Sequence, residues 1–378
     1  MVSRADLDEL VAVEASTAVS MFLATHVAGR EIRQNSTRLK NLLSSAAEQL
    51  AASRRRPEIE ALLAPAEALV GDNDFWRRQQ QGLALFLAPG FSRVHKLPIA
   101  VPERMVLGGY FHIRPLLPLL DDAGPFWLLT ISAKHTRLYQ GSRWSFAEAT
   151  GIDLPQGVDA IRGMTEYQEG HFAPPVGRRG ALSHAQSFGE APEELRKSEL
   201  TDFLRRVAAA FEPHLKANPA PVILAANPEI RGHFREIAGW KEIEPNGVAE
   251  NPDALTQDEL HQRTAALAEQ KAKEARTAAL DRLNALLGTG KATTTPEEIV
   301  TAARDGRVDR LFMTQDGELW GRILDSENRI VVHGAAIAGD VDLLNDAALM
   351  TLRRAGSVTL VARSALPGSR PAAAILRY

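Results

Sequence analysis

The run Phe126-Trp-Leu-Leu-Thr-Ile-Ser132 constrains the fold of this chain more than any other stretch. Its apolar, aromatic and β-branched residues form a strand. Lys134-His135 turns it, Thr136-Arg-Leu-Tyr139 returns, and Arg143-Trp-Ser-Phe-Ala147 follows after Gln140-Gly141-Ser142. That is an antiparallel meander. Successive strand residues point to opposite faces, so Leu129 and Ile131 lie on one face and Leu128 and Thr130 on the other. Downstream come a periodic helix over Pro192 to Leu215, with Glu193 and Glu194 in its first turn, and the buried strand Pro221-Val-Ile-Leu-Ala225. A second helix begins at Pro228, capped by Asn227 and ended by Gly239. Together these elements predict a mixed sheet with helices packed on it, in an α/β (α+β) protein.

Between the meander and the first of those helices lies Gly170 to Gly189, GHFAPPVGRRGALSHAQSFG, with no usable period. Pro174, Pro175, Gly177 and Gly180 break any regular element. Arg178 and Arg179 charge it, and His171, His184 and Gln186 add polar groups. So long an aperiodic stretch inside ordered sequence is functional or disordered. It is expected to be an exposed, mobile, basic arm.

The first 121 residues read as a further α/β unit. Val19 to Leu23 is a strand, Thr25 to Arg30 a turn, and Glu31 to Ala52 a helix with Leu39, Leu42, Leu43, Ala46 and Leu50 on one face. Arg30, Arg33, Arg38 and Lys40 lie mostly off that stripe, as a solvated face or as phosphate contacts. A helix over Glu58 to Val70 and a hairpin of Gly82–Leu87 with Ser92–Leu97 complete the unit. After Asn251, an Ala/Glu/Lys/Leu-rich helix capped by Asp253 or Thr256 runs to about Leu287, a spoke to the last part of the chain. There Thr295 caps a helix ending at Gly306, Val308–Met313 is a strand, and Gly317–Leu324 and Arg329–His333 continue its sheet. Asp340–Arg354 is a helix, and Ser357–Ala362 and Ala372–Leu376 are closing strands. The expected boundaries are 1–121, 122–250 with the loop 170–189, 251–290 and 291–378.

At 378 residues, several domains are the expectation. The net charge of −3 excludes a uniformly basic nucleic-acid coat, so any RNA contact is a local patch. With no cysteine, disulfides and thiol catalysis are excluded. No apolar run of membrane-spanning length occurs, and a cytoplasmic location is expected. The ten histidines follow no zinc spacing, so no metal and no cofactor are expected. The strands from Phe126 to Tyr139 carry no carboxylate, which argues against a two-metal nuclease cage there. Gly288-Thr-Gly-Lys291 lacks phosphate-loop spacing and follows a helix.

Four stretches resemble the bacterial members of the archaeo-eukaryotic release-factor and Pelota superfamily. They are Val19–His26 with Arg38–Leu42, Leu128–Tyr139, Val222–Ala226, and the set Arg307–Phe312, Asp342–Ala347 and Ala372–Tyr378. The resemblance implies three domains: an N-terminal one reaching toward the decoding region, a ribonuclease H-like middle one whose loop approaches the peptidyl-transferase centre, and a C-terminal one like kink-turn RNA-binding ribosomal proteins. It implies the ribosome as partner, through rRNA and the tRNA acceptor end, with a translational GTPase docked on the C-terminal domain. The loop 170–189 stands where release factors carry Gly-Gly-Gln. That tripeptide is absent, and so is Asn-Ile-Lys-Ser. The nearest approach is His184-Ala-Gln186, whose Cβ atoms oppose the backbone geometry that glycines allow. The expected function is therefore ribosome binding at the A site in hibernation or rescue, without efficient peptide release, through Arg178, Arg179, His184, Gln186, Arg30, Arg33, Arg38 and Lys40. The alternatives are a peptidyl-tRNA hydrolase working through Gln186, a divergent nuclease, or a protein-interaction module unconnected to ribosomes.

Overall fold

The computed structural model describes residues 2–29, 31–121, 124–132, 134–156, 192–324, 329–337 and 339–378, with the backbone alone for 121 and 192–196. They form two compact units, Met1–Asp121 together with Glu274–Tyr378, and Asp122–Lys273.

The first unit opens with α1 (Arg4–Ala12). Its start is a reciprocal capping box: the Asp6 amide donates to the Ser3 hydroxyl, and the Ser3 amide donates to the Asp6 carboxylate at 2.7 Å. There follow β1 (Ala18–Ala24), α2 (Ile32–Leu50), α3 (Arg56–Val70), α4 (Asn73–Arg77), β2 (Gly82–Ala88), β3 (Phe91–Leu97), β4 (Arg104–Gly108) and α5 (Pro118–Asp121). The strands make an antiparallel sheet in the order β3-β2-β1-β4. Alternation sorts its two faces. Val19, Met21, Leu23, Leu83, Leu85 and Leu87 pack against Leu39, Leu42, Leu43 and Ala46 of α2 and Ile59 and Leu63 of α3. Each fully buried Leu there stabilises the fold by about 1.5–3 kcal/mol. The opposite face carries aromatic rings at edge-to-face geometry, Phe22–Phe86 at 5.7 Å and Phe86–Phe111 at 5.3 Å between centroids.

The second unit holds β5 (Phe126–Ile131), β6 (Thr136–Ser142), β7 (Ser145–Glu148), α6 (Pro192–Ala217), β8 (Val222–Ala225), α7 (Pro228–Ala238) and the first half of α8 (Gln257–Leu286). The sheet order is β7-β6-β5-β8, with β5 and β8 parallel and the rest antiparallel. The alternation expected in β5 is present. Trp127, Leu129 and Ile131 meet Phe203, Val207 and Phe211 of α6 and Phe234 of α7. Phe126 and Leu128 meet Leu260, Leu267 and Ala268 of α8 on the other face. Gly141 is required opposite Phe126, because a Cβ there would stand 2.5 Å from the ring. Of the two expected caps of α8, Thr256 is the one in place: its amide donates to the Glu259 carboxylate and the Glu259 amide donates to its hydroxyl.

The second half of α8 returns to the first unit, where Ala279 and Leu283 join Phe312, Val361, Ala373 and Ile375. The remaining elements are β9 (Ala292–Thr293), α9 (Pro296–Arg304), β10 (Val308–Met313), β11 (Trp320–Leu324), β12 (Arg329–His333), β13 (Val341–Asp342), α10 (Leu343–Arg353), β14 (Ser357–Leu360) and β15 (Ala372–Leu376). One sheet runs β14-β10-β15-β9. Contrary to the expected continuation, Gly317–Leu324 and Arg329–His333 do not extend it. They make a separate sheet, β12-β11-β13, because β14 and β15 already occupy both ladder edges of β10. Two further corrections concern helix starts. Thr295 makes no side-chain cap bond, and α10 starts at Leu343 rather than Asp340. Asp342 caps α10, accepting from the amides of Leu344 and Asn345.

Candidate nucleic-acid interface

The basic residues of the first long helix fall into two environments. The apolar stripe of α2 leaves Arg33 and Lys40 on the outward side, and both are exposed. Neither forms an ion pair among the described residues. Arg38 differs. It donates to the Ala24 carbonyl at 2.6 Å and pairs with Glu103 at 2.7 Å, so its side chain is only 27% exposed. A cation so engaged ties α2 to the end of β1 rather than reaching for phosphate. The turn after β1 is fixed in the same region by Asn35, which is wholly buried. Its amide oxygen accepts from the His26 amide and its NH₂ donates to the His26 carbonyl, each at 3.0 Å. Arg30, Arg178, Arg179, His184 and Gln186 lie outside the described residues.

A second concentration of chemistry, unmarked in the sequence reading, lies within the first unit between its N-terminal and C-terminal segments. Arg114 is its centre. One guanidinium nitrogen donates to Asp342 at 2.5 Å, and the other reaches the carbonyls of Gly317 at 2.6 Å and Gln315 at 3.1 Å. The two charged side chains are 9% and 6% exposed. Asn345 adds a bridge, accepting from the Ile113 amide at 2.8 Å and donating to the Phe111 carbonyl at 3.2 Å. At the far end of α10, Arg353 donates to the carbonyls of Val11 and Val13, each at 2.6 Å, and lies 4.4 Å over the ring of Tyr110. The sequence expectation starts this helix at Asp340 and so gives Asp342, its actual cap, no capping role. The partner of Asp342 stands 228 positions away, beyond the reach of any spacing rule.

His112 closes the inner side of this seam. Its ring stands edge-on to Phe22 at 5.9 Å, and its amide donates to the Ser20 hydroxyl at 2.9 Å. Burial pushes its pKa down to about 4; the charge of Asp342 opposes that, and Arg114 and Arg104 reinforce it. The imidazole is therefore neutral at physiological pH. On the second sheet, Asp340 accepts from the Ile337 amide at 3.0 Å and bonds His333 Nδ1 at 2.7 Å. Burial of its side chain raises the Asp340 pKa, but the His333 and Ile337 bonds outweigh this and hold it below the ordinary carboxylate value.

In the middle unit, β5 and β6 bear no carboxylate, and among the described residues no three metal-ligating side chains come together. The polar groups at the tip of that hairpin serve the turn: the Ser132 hydroxyl accepts from the amides of Lys134 and His135. A three-ring stack of Tyr139, Phe146 and His261 covers the outer side, with centroids 4.8 and 5.1 Å apart, and His261 Nε2 bonds the Ser142 carbonyl at 2.8 Å.

Comparison with known proteins bears on this arrangement. The match is to the archaeo-eukaryotic release-factor class. Within that class, residues 125–307 match the family described as bacterial archaeo-eukaryotic release factor family 3, a span that takes in the middle unit and runs to the edge of β10. No curated protein matches the chain. Among solved structures, ribosome-bound archaeal Pelota is 12% identical, over 98% of this chain and 92% of that one, at a TM-score of 0.41. An archaeal translation termination factor is 14% identical over 100% and 99%, at 0.25. Pelota of Archaeoglobus fulgidus is 13% identical over 78% and 79%, at 0.29.

Proposed function

We propose that this protein is a cytosolic, ribosome-associated translation factor that occupies the A site in hibernation or rescue and does not release peptide efficiently. The observation that carries the reading is the family match over residues 125–307, in a chain without the Gly-Gly-Gln tripeptide. Ester hydrolysis needs a held water and a donor for the developing oxyanion. Replacing two glycines by His184 and Ala185 disfavours the left-handed backbone by roughly 1–2 kcal/mol per residue. The basic residues of the loop 170–189, Arg178 and Arg179 with His184 and Gln186, contact rRNA or the tRNA acceptor end, and Arg30, Arg33 and Lys40 contact RNA from the first helical face. Arg forks suit phosphate oxygens. A translational GTPase docks on the C-terminal segment.

Two measurements test the reading. The protein should co-sediment with ribosomes and dissociate as salt rises, and Arg178→Ala with Arg179→Ala should lower the salt slope by roughly two units. With formyl-Met-tRNA in the P site, saturating protein should liberate no label. Release at a rate comparable with a bacterial release factor, abolished by Gln186→Ala, would replace this reading with that of a peptidyl-tRNA hydrolase. Absence of ribosome binding at low salt would remove the ribosomal role altogether.

A further inference from the structure

The seam of the first unit contains space as well as bonds. Its inner cavity, about 290 Å³, is walled by Tyr110, His112, Trp320, Arg104 and Arg304. An open cleft of about 490 Å³ adjoins it, sharing Tyr110 and Arg304 and adding Arg353 and Arg354. The inner volume lies at the lower end of the range for small-molecule sites, roughly 300–1,000 Å³, which suits a base with its sugar. Tyr110 stands at the junction and Trp320 on the wall of the inner cavity, each with a guanidinium nearby: Arg353 at 4.4 Å from the Tyr110 centroid and Arg104 at 6.0 Å from that of Trp320. Such ring and guanidinium planes are surfaces on which any nucleobase stacks.

Polar readout is also available. His112 is 97% buried, since 3% of it is exposed, and its imidazole makes no hydrogen bond among the described residues while lining the cavity. Neutral imidazole offers one donor and one acceptor, a match for a base edge. Most carboxylates of the wall have a cationic partner: Asp342 has Arg114, Asp340 has His333 and Arg322, Asp346 has Arg304 at 3.2 Å, and Glu14, which lines the outer cleft, has Arg353 at 3.5 Å. Arg354, exposed at the cleft and without an ion pair among the described residues, is the cation left to meet an anion.

We propose that this seam binds one nucleotide unit, with the base in the inner cavity between Trp320 and Tyr110 and the phosphate in the outer cleft against Arg354. The unit comes either from a free nucleoside phosphate or from a terminal or looped residue of RNA. The proposal is independent of ribosome binding, because none of its residues belongs to the loop 170–189 or to the outward face of α2.

Equilibrium dialysis of the full chain tests it, with the four 5′-nucleoside monophosphates, the matching nucleosides and a hexaribonucleotide as probes. At least one monophosphate or the hexamer should bind saturably below about 1 mM, the scale of weak specific recognition. The matching nucleoside should bind roughly tenfold more weakly, as should Arg354→Ala, since a charge-assisted phosphate contact is lost. Trp320→Ala should weaken binding by a similar factor, and Trp320→Phe, which keeps packing and a stacking face, should restore most of it. Binding of monophosphates identifies a free nucleotide as the source; binding of the hexamer alone identifies RNA. No saturable binding of any probe, equal binding of nucleoside and monophosphate, or undiminished binding by both Arg354→Ala and Trp320→Ala overturns the proposal.

Discussion

Replacing Arg114 by Met should loosen the first unit more than any surface change in the chain. Methionine keeps much of the side-chain volume but removes the charge. It leaves the Asp342 carboxylate, 6% exposed, without its cation, and strips the Gln315 and Gly317 carbonyls of their donor. Breaking a buried ion pair from one side costs about 3–5 kcal/mol. Asp342 still accepts two amide bonds at the start of α10, which partly solvates the stranded charge and argues for the lower end, about 3 kcal/mol. Denaturant unfolding of the whole chain would blend two compact units. Amide hydrogen exchange read on residues 343–353 and 308–313 isolates the affected one. Protection there should fall on the order of a hundredfold, at 1.4 kcal/mol per factor of ten. Adding Asp342→Asn should recover a large part of the loss, because the variant pair then leaves no uncompensated charge. A change below threefold, or a double variant no better protected than Arg114→Met, would refute the claim that the pair, rather than generic packing, holds the seam.

Three other outcomes are expected. The folded-state pKa of His112, about 4, lies below the ordinary 6.5, so its contribution is fully present above pH 6.5 and is lost as pH falls toward 4. At pH 5 the first unit should be about 2 kcal/mol less stable than at pH 7, and His112→Leu should flatten that dependence; equal exchange protection at both pH values would count against it. Arg38→Ala, which removes a carbonyl bond and a partly buried pair, should cost about 1–2 kcal/mol, whereas Lys40→Ala should stay within about 0.5 kcal/mol and lower the salt slope of ribosome binding by about one unit. Asn35→Ala should cost about 1–3 kcal/mol and free the turn at His26, visible as faster proteolysis between residues 25 and 31.

The elements that the sequence disclosed are those whose pattern is local. Leu129 and Ile131 against Leu128 is a two-residue period, and it names the two faces of β5 that α6 and α8 cover. The existence of the long helix α8 was likewise legible from its Ala/Glu/Lys/Leu composition. α1 escaped the reading although Ser3 and Asp6 spell a capping box, because its short run has weak apolar periodicity. β4 is five residues ending at Gly108, too short for a period to show. That β11 and β12 leave the sheet of β10 depends on which strands already occupy its edges, and adjacency across a sheet is not written in either strand. The seam was invisible for the same reason: Arg114, Asn345 and Arg353 look like ordinary surface residues until segments more than two hundred positions apart meet.

The first unit is discontinuous in sequence, and this governs how the chain emerges from synthesis. Residues 122–273 hold a complete sheet, its two helical covers and their contacts within one uninterrupted stretch. They can collapse as soon as they leave the exit tunnel, because the partners of that sheet lie within the same stretch. The leading 121 residues cannot finish at that moment. The backbone carbonyls of Val11 and Val13 and the amide of Ile113 wait for Arg353 and Asn345, which are made more than two hundred residues later. During that interval the surface that α10 will cover is open to water and to other nascent chains, as in any protein whose domain closes late. A stop in translation shortly before Asp342 would therefore release a polypeptide with a sound middle and an unsealed first unit, the kind of product that chaperones and proteases recognise.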